Sequence, residues 1–179
     1  MDSNGFDDLR PRTPALHNDH DQWRQTLRHF VDKHIAPNIE VWSEAGRFPD
    51  SLFEEAAKKN LLGLGFSNEL GGWNKDADLY YRIIFAEEFH RLGSGVIYAD
   101  LATHWVALPP VVDSGAAKLV DNVVRPILAG RQQIAFAVTE PSGGSDVSAC
   151  KTIAVPDGND YVLSGAKTLI SGALRADWL

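Results

Sequence analysis

Apolar residues recur at intervals of three and four positions through the first two thirds of the chain, which is the spacing of helices with one buried face. The first stripe predicts a helix that Asp19 or Asp21 caps and that ends near Pro37. Its members are Trp23, Leu27, Phe30, Val31 and Ile35. We therefore expect the chain to begin with a helical domain.

Four more helices are predicted before residue 131. Ser51 and Glu54 form an S-x-x-E capping box that opens the second. The third runs from about Asp78 to Leu92, and its apolar residues on more than one face indicate burial between neighbours. Residues 96–108 form the fourth, which prolines 109 and 110 stop or kink. The last is interrupted at Pro126 and closed by Gly130, and its stripe comprises Leu119, Val120, Val123, Val124 and Ile127.

The pattern changes at Gln133, where strand-compatible residues replace the helical stripe. Residues 133–140 predict a strand that ends in the Gly- and Ser-rich turn 141–145. Residues 157–159 predict a hairpin turn between Thr152–Val155 and Tyr161–Leu163, and Thr168–Ser171 is another candidate strand. Too few strands are present to close a barrel, and an unfinished sheet leaves edge groups open for missing sequence or a partner.

The predicted fold class is therefore α+β, an all-α N-terminal helical domain followed by an incomplete β-barrel-like domain. We place a flexible polar lead-in at residues 1–18, the helical domain at 19–130 and the partial β domain at 131–179.

Composition narrows the class of protein without indicating its chemistry. The chain has 179 residues, 44% of them hydrophobic, and a net charge of -7, so it is globular and its overall charge does not favour nucleic acid or anionic membrane. We expect no membrane span, because no apolar run is long enough, and the single Cys150 excludes an internal disulfide framework. Without a recognisable targeting signal, a cytoplasmic location is the default expectation.

The segment Ala137–Asp146 is the most informative for function. It places hydroxyl groups and glycines at the end of a predicted strand, where backbone N–H groups can approach an electron-rich ligand closely. An ordinary β-turn explains the same residues equally well on physical grounds.

This segment resembles the acyl-CoA dehydrogenase signature, and a second match follows it at the expected interval. The first match comprises Ala137, Val138, Thr139, Glu140, Gly144, Ser145, Asp146 and Ala149. The second comprises Lys151-Thr152, residues 161–165, residues 167–172 and Ala176-Asp177-Trp178. The resemblance extends from about Trp23 to the last residue. It implies an FAD-dependent acyl-CoA dehydrogenase that introduces an α,β double bond, passes electrons to an electron-transfer flavoprotein and forms a homotetramer.

The resemblance also implies which residues hold the cofactor. Val138 and Thr139 would present backbone and hydroxyl groups to the isoalloxazine ring, the Ser171 hydroxyl would face its N5, and Ser145 would also touch acyl-CoA. The full FAD-binding set is Phe136, Ala137, Val138, Thr139, Glu140, Gly144, Ser145, Leu169, Ile170 and Ser171. The chain departs from the family where Leu169 replaces an aromatic residue, Ser142 a frequent glycine and Phe136 a common tyrosine.

We expect no catalytic base in this sequence, because the family carries that carboxylate in a C-terminal helical domain. Glu140 is expected to order its turn rather than to act as the base. The chain alone is therefore expected to have little or no turnover. The alternatives are a non-catalytic subunit or fragment that needs a partner, and a related acyl-CoA oxidase or flavin monooxygenase.

Other candidate sites have simpler explanations. Glu87 and His90 have the E-x-x-H spacing of di-iron bundles but lack a second copy, so a surface or core-edge pair is favoured. His104-Trp105 is expected to pack in the core rather than to line a substrate cavity. Cys150 is expected to be structural, with Lys151 as the nearest charge that lowers a thiol pKa. We expect no metal site from the histidines His17, His20, His29 and His34.

Overall fold

A computed structural model describes residues 13–93 and 95–179 of the chain. Residues 1–12, which make up most of the predicted lead-in, lie outside the described residues. The described part comprises a helical body followed by turns and a two-stranded antiparallel hairpin, which confirms the predicted α+β class.

The helices follow one another closely along the chain. They are α1 (Asn18–Phe30), α2 (Ile39–Ala45), α3 (Ser51–Lys58), α4 (Leu79–His90), α5 (Gly95–Ala102), α6 (His104–Asp113) and a composite α7 (Ala117–Leu119, the π-helical Val120–Val124 and Arg125–Leu128). A π-helical turn (Val31–Ile35) and a 3-10 turn (Ala36–Asn38) prolong α1, and further 3-10 turns lie at Asn68–Leu70 and Val147–Ala149. The strands are β1 (Ile153–Asp157) and β2 (Asp160–Ser164). No helix in the described ranges is both long and apolar enough to cross a bilayer.

Both predicted helix caps are wrong, although the helices are present. Helix α1 begins after His17, so Asp19 lies in its first turn, where a negative charge interacts favourably with the helix dipole. Asp50 holds the N-cap position of α3, and Ser51 is already helical, with no side-chain capping bond. The Asp50 carboxylate instead accepts a hydrogen bond from the Gln133 amide at 2.9 Å.

Prolines 109 and 110 were predicted to stop or kink the helix, and they do not stop it, because α6 continues through both. A proline's missing N–H group and its ring disturb the turn before it, but its fixed φ suits a helix and its carbonyl still accepts, so the next turn forms, with Ser114 N donating to the Pro110 carbonyl at 3.2 Å. The break lies at Thr103, whose hydroxyl donates to the Ala99 carbonyl at 2.6 Å. Such bonds bend helices because they compete with the backbone ladder.

Of the predicted strands, only the hairpin pair forms. Asp157 pairs with Asp160 across the turn, and every residue of β1 and β2 is exposed. Residues 133–140 form isolated bridges instead of a strand, and residues 168–171 are irregular, with Leu169 at φ +56°. A strand is held by a continuous ladder of backbone hydrogen bonds, and within the described residues these two segments make only isolated ones with their neighbours.

The hydrophobic core lies mainly between α1 and α4 and extends to α5, α6 and α7. Leu27, Phe30, Ile84 and Phe85 are at most 1% exposed, and the ring of Phe85 meets that of Trp105 edge to face at 4.8 Å. Each such side chain contributes about 1.5–3 kcal/mol through burial. Helix α4 packs between α1 and α5, as its apolar residues on more than one face predict, and Ile83 on its outer face is 40% exposed.

A buried ionic network links the same two helices. The Glu88 carboxylate is fully buried, and it accepts hydrogen bonds from Arg24 at 3.1 Å and from Arg28 at 2.9 Å. Arg91 approaches the same carboxylate at 3.5 Å. Because a buried carboxylate is costly without such partners, this network fixes the position of α1 on α4.

Gly130 fixes the point where the chain leaves the helical body. Its φ is +70°, and Arg131 N donates to the Pro126 carbonyl at 2.9 Å, which closes α7. A Cβ at this position would lie 2.4 Å from the Phe53 carbonyl oxygen, so the end of α7 lies directly against α3. A residue with a side chain does not fit here, and the segment that follows leaves the body in a fixed direction.

Candidate functional site

The predicted cofactor residues begin on an extended segment that runs beside the last residues of the chain. Ala135 is 2% exposed, and its N–H donates to the Trp178 carbonyl at 2.9 Å. Gln133 N donates to the Asp177 carboxylate at 2.8 Å, while Asp177 N donates to the Gln133 carbonyl at 2.9 Å. These reciprocal bonds hold the segment in place before it reaches Phe136, which is 48% exposed.

A tight turn follows Thr139. Glu140 N donates to the Gly143 carbonyl at 2.9 Å, and Gly143 N donates to the Glu140 carbonyl at 3.0 Å. Gly144 then lies against Thr139, so close that an added Cβ would be 3.1 Å from the Thr139 methyl group. Thr139 and the start of the Gly-Ser step are therefore neighbours, and Ser145 lies exposed just beyond them.

The Glu140 side chain is buried against residues 151–152 and Lys167. Only 5% of the residue is exposed, and its carboxylate accepts bonds from Lys151 N at 2.7 Å, Thr152 N at 2.9 Å and Lys167 Nζ at 3.0 Å. The Thr152 hydroxyl, these N–H donors and the Lys167 ammonium together lower the pKa of Glu140 to about 2. At neutral pH the carboxylate is ionised and a poor proton acceptor, so the geometry suits turn ordering.

The second predicted segment is held against the first. Lys167 Nζ donates to the Val138 carbonyl at 2.9 Å, and Thr168 N donates to the Thr139 carbonyl at 2.9 Å. Leu169 follows with its side chain 88% exposed, and Ile170 and Ser171 come next. The structure thus brings the two halves of the predicted site together, although their residues are about thirty positions apart.

The donors in these two segments fit an acceptor-rich ligand. Among residues 13–93 and 95–179, no backbone carbonyl accepts a bond from the N–H of Val138, Thr139, Ile170 or Ser171. The hydroxyls of Thr139 and Ser171 add two side-chain donors. Unused N–H and O–H groups on neighbouring segments match the carbonyl oxygens and ring nitrogens of a flat heteroaromatic cofactor.

A small cavity of about 20 Å³ lies between residues 171–172 of this site and the helical body. Asp100, His104 and Ser171 are among the polar residues that line it, together with apolar side chains such as Phe53 and Ile127. His104 is 4% exposed, and burial lowers its pKa to about 4, so the imidazole is neutral at pH 7. Its neighbour Trp105 is 7% exposed and donates to the Leu64 carbonyl at 3.1 Å. Both residues are buried, as core packing predicts, and His104 also borders the cavity.

Sequence reasoning missed Lys167 and the ion pair of Arg175 with Asp100 as parts of this site. Arg175 also donates to the Phe48 carbonyl at 3.1 Å and lies 4.3 Å above the Phe48 ring. Burial raises the pKa of Asp100, while the Arg175 charge opposes that rise. Asp100 and Arg175 are 75 positions apart, so no local pattern predicts this contact.

The remaining sequence candidates do not assemble into a catalytic centre. Glu87 pairs with Arg24 at 2.6 Å, and His90 contacts the Ala86 carbonyl at 2.8 Å, so the E-x-x-H pair does not converge. Cys150 is exposed, and the lysine near its sulfur is Lys167 at 3.9 Å rather than the Lys151 expected from sequence.

One cluster in the described ranges has the composition of a metal site. His17, His20 and Asp78 have ligand atoms within 4.8 Å of one another. His20 Nε2 bonds the Asp78 carboxylate at 3.1 Å, and that carboxylate also caps α4 by accepting from Tyr80 N at 2.9 Å. These hydrogen bonds account for the cluster without an ion.

Comparison with known proteins gives two adjacent family matches. Residues 17–131 match the N-terminal domain of acyl-CoA dehydrogenases, and residues 135–179 match the middle domain of the same family.

Individual proteins with similar sequences and structures agree with these matches. A caffeyl-CoA reductase–Etf complex subunit of Acetobacterium woodii is 35% identical over 86% of this chain and 40% of its own length. The mitochondrial long-chain specific acyl-CoA dehydrogenase of Sus scrofa is 30% identical over 89% of this chain and 36% of its length. A crystal structure described as a putative acyl-CoA dehydrogenase from Mycobacterium smegmatis has a TM-score of 0.85 and 39% identity, and the match covers 92% of this chain and 43% of that one. The chain therefore spans about 40% of the length of the relatives it matches.

Proposed function

This chain belongs to the acyl-CoA dehydrogenase family, and we propose that it is the flavin-holding part of an oxidoreductase that acts on the CH–CH bond beside an acyl-CoA thioester. The proposed division is a helical domain at residues 19–130 and a partial β domain at 131–179. The α-proton would be removed by a carboxylate elsewhere in the whole protein, because a pKa lowered to about 2 makes Glu140 a weak base and its hydrogen-bond donors enclose it.

The observation that carries this proposal is the contact between the two donor segments. The bonds from Lys167 to Val138 and from Thr168 to Thr139 support a single cradle made of both. FAD, when bound, supplies the hydride-accepting chemistry. Val138 and Thr139 would hold one part of the flavin ring, and the Ser171 hydroxyl would donate to the ring nitrogen that accepts hydride.

The other predicted cofactor residues have supporting roles in this proposal. Phe136, Ala137 and Gly144 would shape the cradle, and Glu140 would keep its turn closed. Leu169 and Ile170 would pack against the ring, with the exposed Leu169 side chain covering one face. Ser145 would touch both the cofactor and the acyl-CoA.

Both reaction directions are represented among the relatives, since one is a reductase and another a dehydrogenase. We propose that this family member handles an acyl-CoA and its α,β-unsaturated counterpart, with an electron-transfer flavoprotein as redox partner and a homotetramer as the assembly. The Etf complex of the Acetobacterium woodii relative supports the choice of redox partner.

The test is the visible absorption spectrum of the purified chain, followed by titration with FAD. We expect flavin bands, and we expect Thr139→Val and Ser171→Ala each to weaken FAD binding by roughly threefold to tenfold through loss of one hydrogen bond. Ser148→Ala is the control, because that hydroxyl bonds only Asp146 within the described residues, at 2.6 Å. A wild-type chain that binds no FAD at saturating concentration would overturn the proposal, and substantial acyl-CoA dehydrogenation by the isolated chain would contradict the predicted lack of turnover.

A second candidate is a subunit that works only with a partner chain. The hairpin β1–β2 supports it, because all ten of its residues are exposed, Leu163 by 74%. Light scattering after size-exclusion chromatography tests this candidate. A partner that co-purifies in a fixed ratio supports it, and a monodisperse lone chain that binds FAD contradicts it.

A further inference from the structure

We propose that Lys167 is a positioning residue that sets the distance between the two segments of the flavin cradle. The proposal rests on the proposed function, and it assigns a role to a residue outside the predicted cofactor set.

The Lys167 ammonium bridges parts of the chain that no strand pairing joins. It donates to the Val138 carbonyl at 2.9 Å and to the Glu140 carboxylate at 3.0 Å, and its side chain is 25% exposed. Within the described residues, these are the only side-chain hydrogen bonds between residues 136–145 and residues 165–172. The spacing of the two segments therefore depends on this lysine and on one backbone bond, from Thr168 to Thr139.

The acceptors of the bridge are themselves held in place. Glu140 is fixed by the backbone N–H groups of Lys151 and Thr152, at 2.7 and 2.9 Å. The Val138 carbonyl shares its peptide plane with the Thr139 N–H group, which donates to no backbone carbonyl within the described residues. A charged donor between a fixed carboxylate and this carbonyl orients the Val138–Thr139 peptide plane, so the Thr139 N–H group, on the opposite side of that plane, is presented in one direction.

The second segment of the cradle begins directly after Lys167 in the sequence. Thr168 is bonded to Thr139, and Ile170 and Ser171 carry the opposite donors only three and four positions after Lys167. Without the ammonium, Glu140 keeps its two backbone donors and the turn stays closed, while the two segments lose their side-chain link. The expected defect is therefore loose flavin binding in a folded chain.

The experiment compares Lys167→Met with Lys151→Met in the full 179-residue chain. Both variants remove one positive charge, but the Lys151 side chain is exposed and makes no hydrogen bond within the described residues. Flavin fluorescence gives the FAD dissociation constant, and hydrogen exchange of the Thr168 amide in the flavin-free chain reports the link itself. We expect Lys167→Met to raise the dissociation constant roughly tenfold or more and to speed this exchange, since a charged hydrogen bond is lost.

Lys167→Arg is the rescue variant, because arginine keeps the charge and the donors, and we expect it to recover most of the FAD affinity and the flavin spectrum. Circular dichroism confirms that each variant is folded, and Lys167→Gln replaces Lys167→Met if the latter is not. Faster exchange with unchanged FAD affinity would overturn the positioning role and leave a merely structural one. Unchanged exchange and affinity would overturn it entirely. A wild-type chain without FAD affinity would refute the proposed function instead, and the exchange data would still show whether the bridge exists.

Discussion

Replacing His104 with glutamine should make the free energy of unfolding less dependent on pH between pH 6.5 and pH 4. Burial lowers the pKa of His104 from 6.5 to about 4, so the folded chain keeps a neutral imidazole where the unfolded chain takes up a proton. The unfolded state therefore binds more protons in this window, and stability falls as the pH falls. A difference of about 2.5 pKa units at about 1.36 kcal/mol each gives a loss of about 3 kcal/mol between pH 6.5 and pH 4.

Urea denaturation followed by tryptophan fluorescence measures this effect, with the free energy of unfolding determined at several pH values from 7 to 4. His104→Gln removes the titrating group and keeps a polar side chain, so the gap between wild type and variant should shrink by about 3 kcal/mol across the window. The control is His29→Gln, because His29 is exposed on α1. Parallel curves for wild type and His104→Gln would show that the buried imidazole accepts a proton in the folded state, and the reasoning would fail.

Three further predictions concern the helical body and the turn. Gly130→Ala should destabilise the chain by about 2 kcal/mol more than Gly46→Ala in urea denaturation, because both have positive φ but only the first would clash with the backbone of α3; equal losses would refute the close approach. Glu88→Gln should cost on the order of 3 kcal/mol by the same assay, since it removes the buried negative charge that Arg24 and Arg28 share, whereas Glu55→Gln at the surface should change little. The Glu140 carboxylate, with its pKa lowered to about 2 from 4.5, should contribute stability that is fully present above pH 4.5 and lost as the pH falls toward 2. Glu140→Gln should therefore converge with wild type in acid, and a constant difference from pH 6 to pH 2.5 would contradict this.

The helices were predictable because their buried faces repeat within a few residues. Leu27 and Phe30 on α1 and Val123 and Ile127 on α7 are all at most 3% exposed, as their spacing indicates. Helix ends were predicted less well, because Asp50 bonds Gln133, which is 83 positions away, instead of capping α3. A capping rule that considers only neighbouring residues cannot predict that a distant residue will bind the capping side chain.

In the β region as well, local sequence signals predicted the local hairpin but not the contacts between distant segments. The Asp157–Asn159 turn is a local signal, and the hairpin around it forms. Residues 133–140 and 168–171 have strand-like composition, but a strand exists only where another strand pairs with it. The contacts that build the candidate site are equally non-local, since Lys167 reaches Val138 from 29 positions away. The motif indicated which segments carry the chemistry, and the structure was needed to find what holds them together.

Leu169 illustrates a trade-off between stability and activity. Its φ of +56° places a leucine in a conformation that costs an L-residue about 1–2 kcal/mol, at a position where 88% of the side chain is in solvent. Selection for stability alone would replace it with glycine or asparagine, which adopt this backbone readily. A screen for thermostable variants should therefore enrich such replacements, and each would remove the apolar side chain that the proposed site offers to the flavin face. A stabilising change at this position is therefore expected to weaken flavin binding.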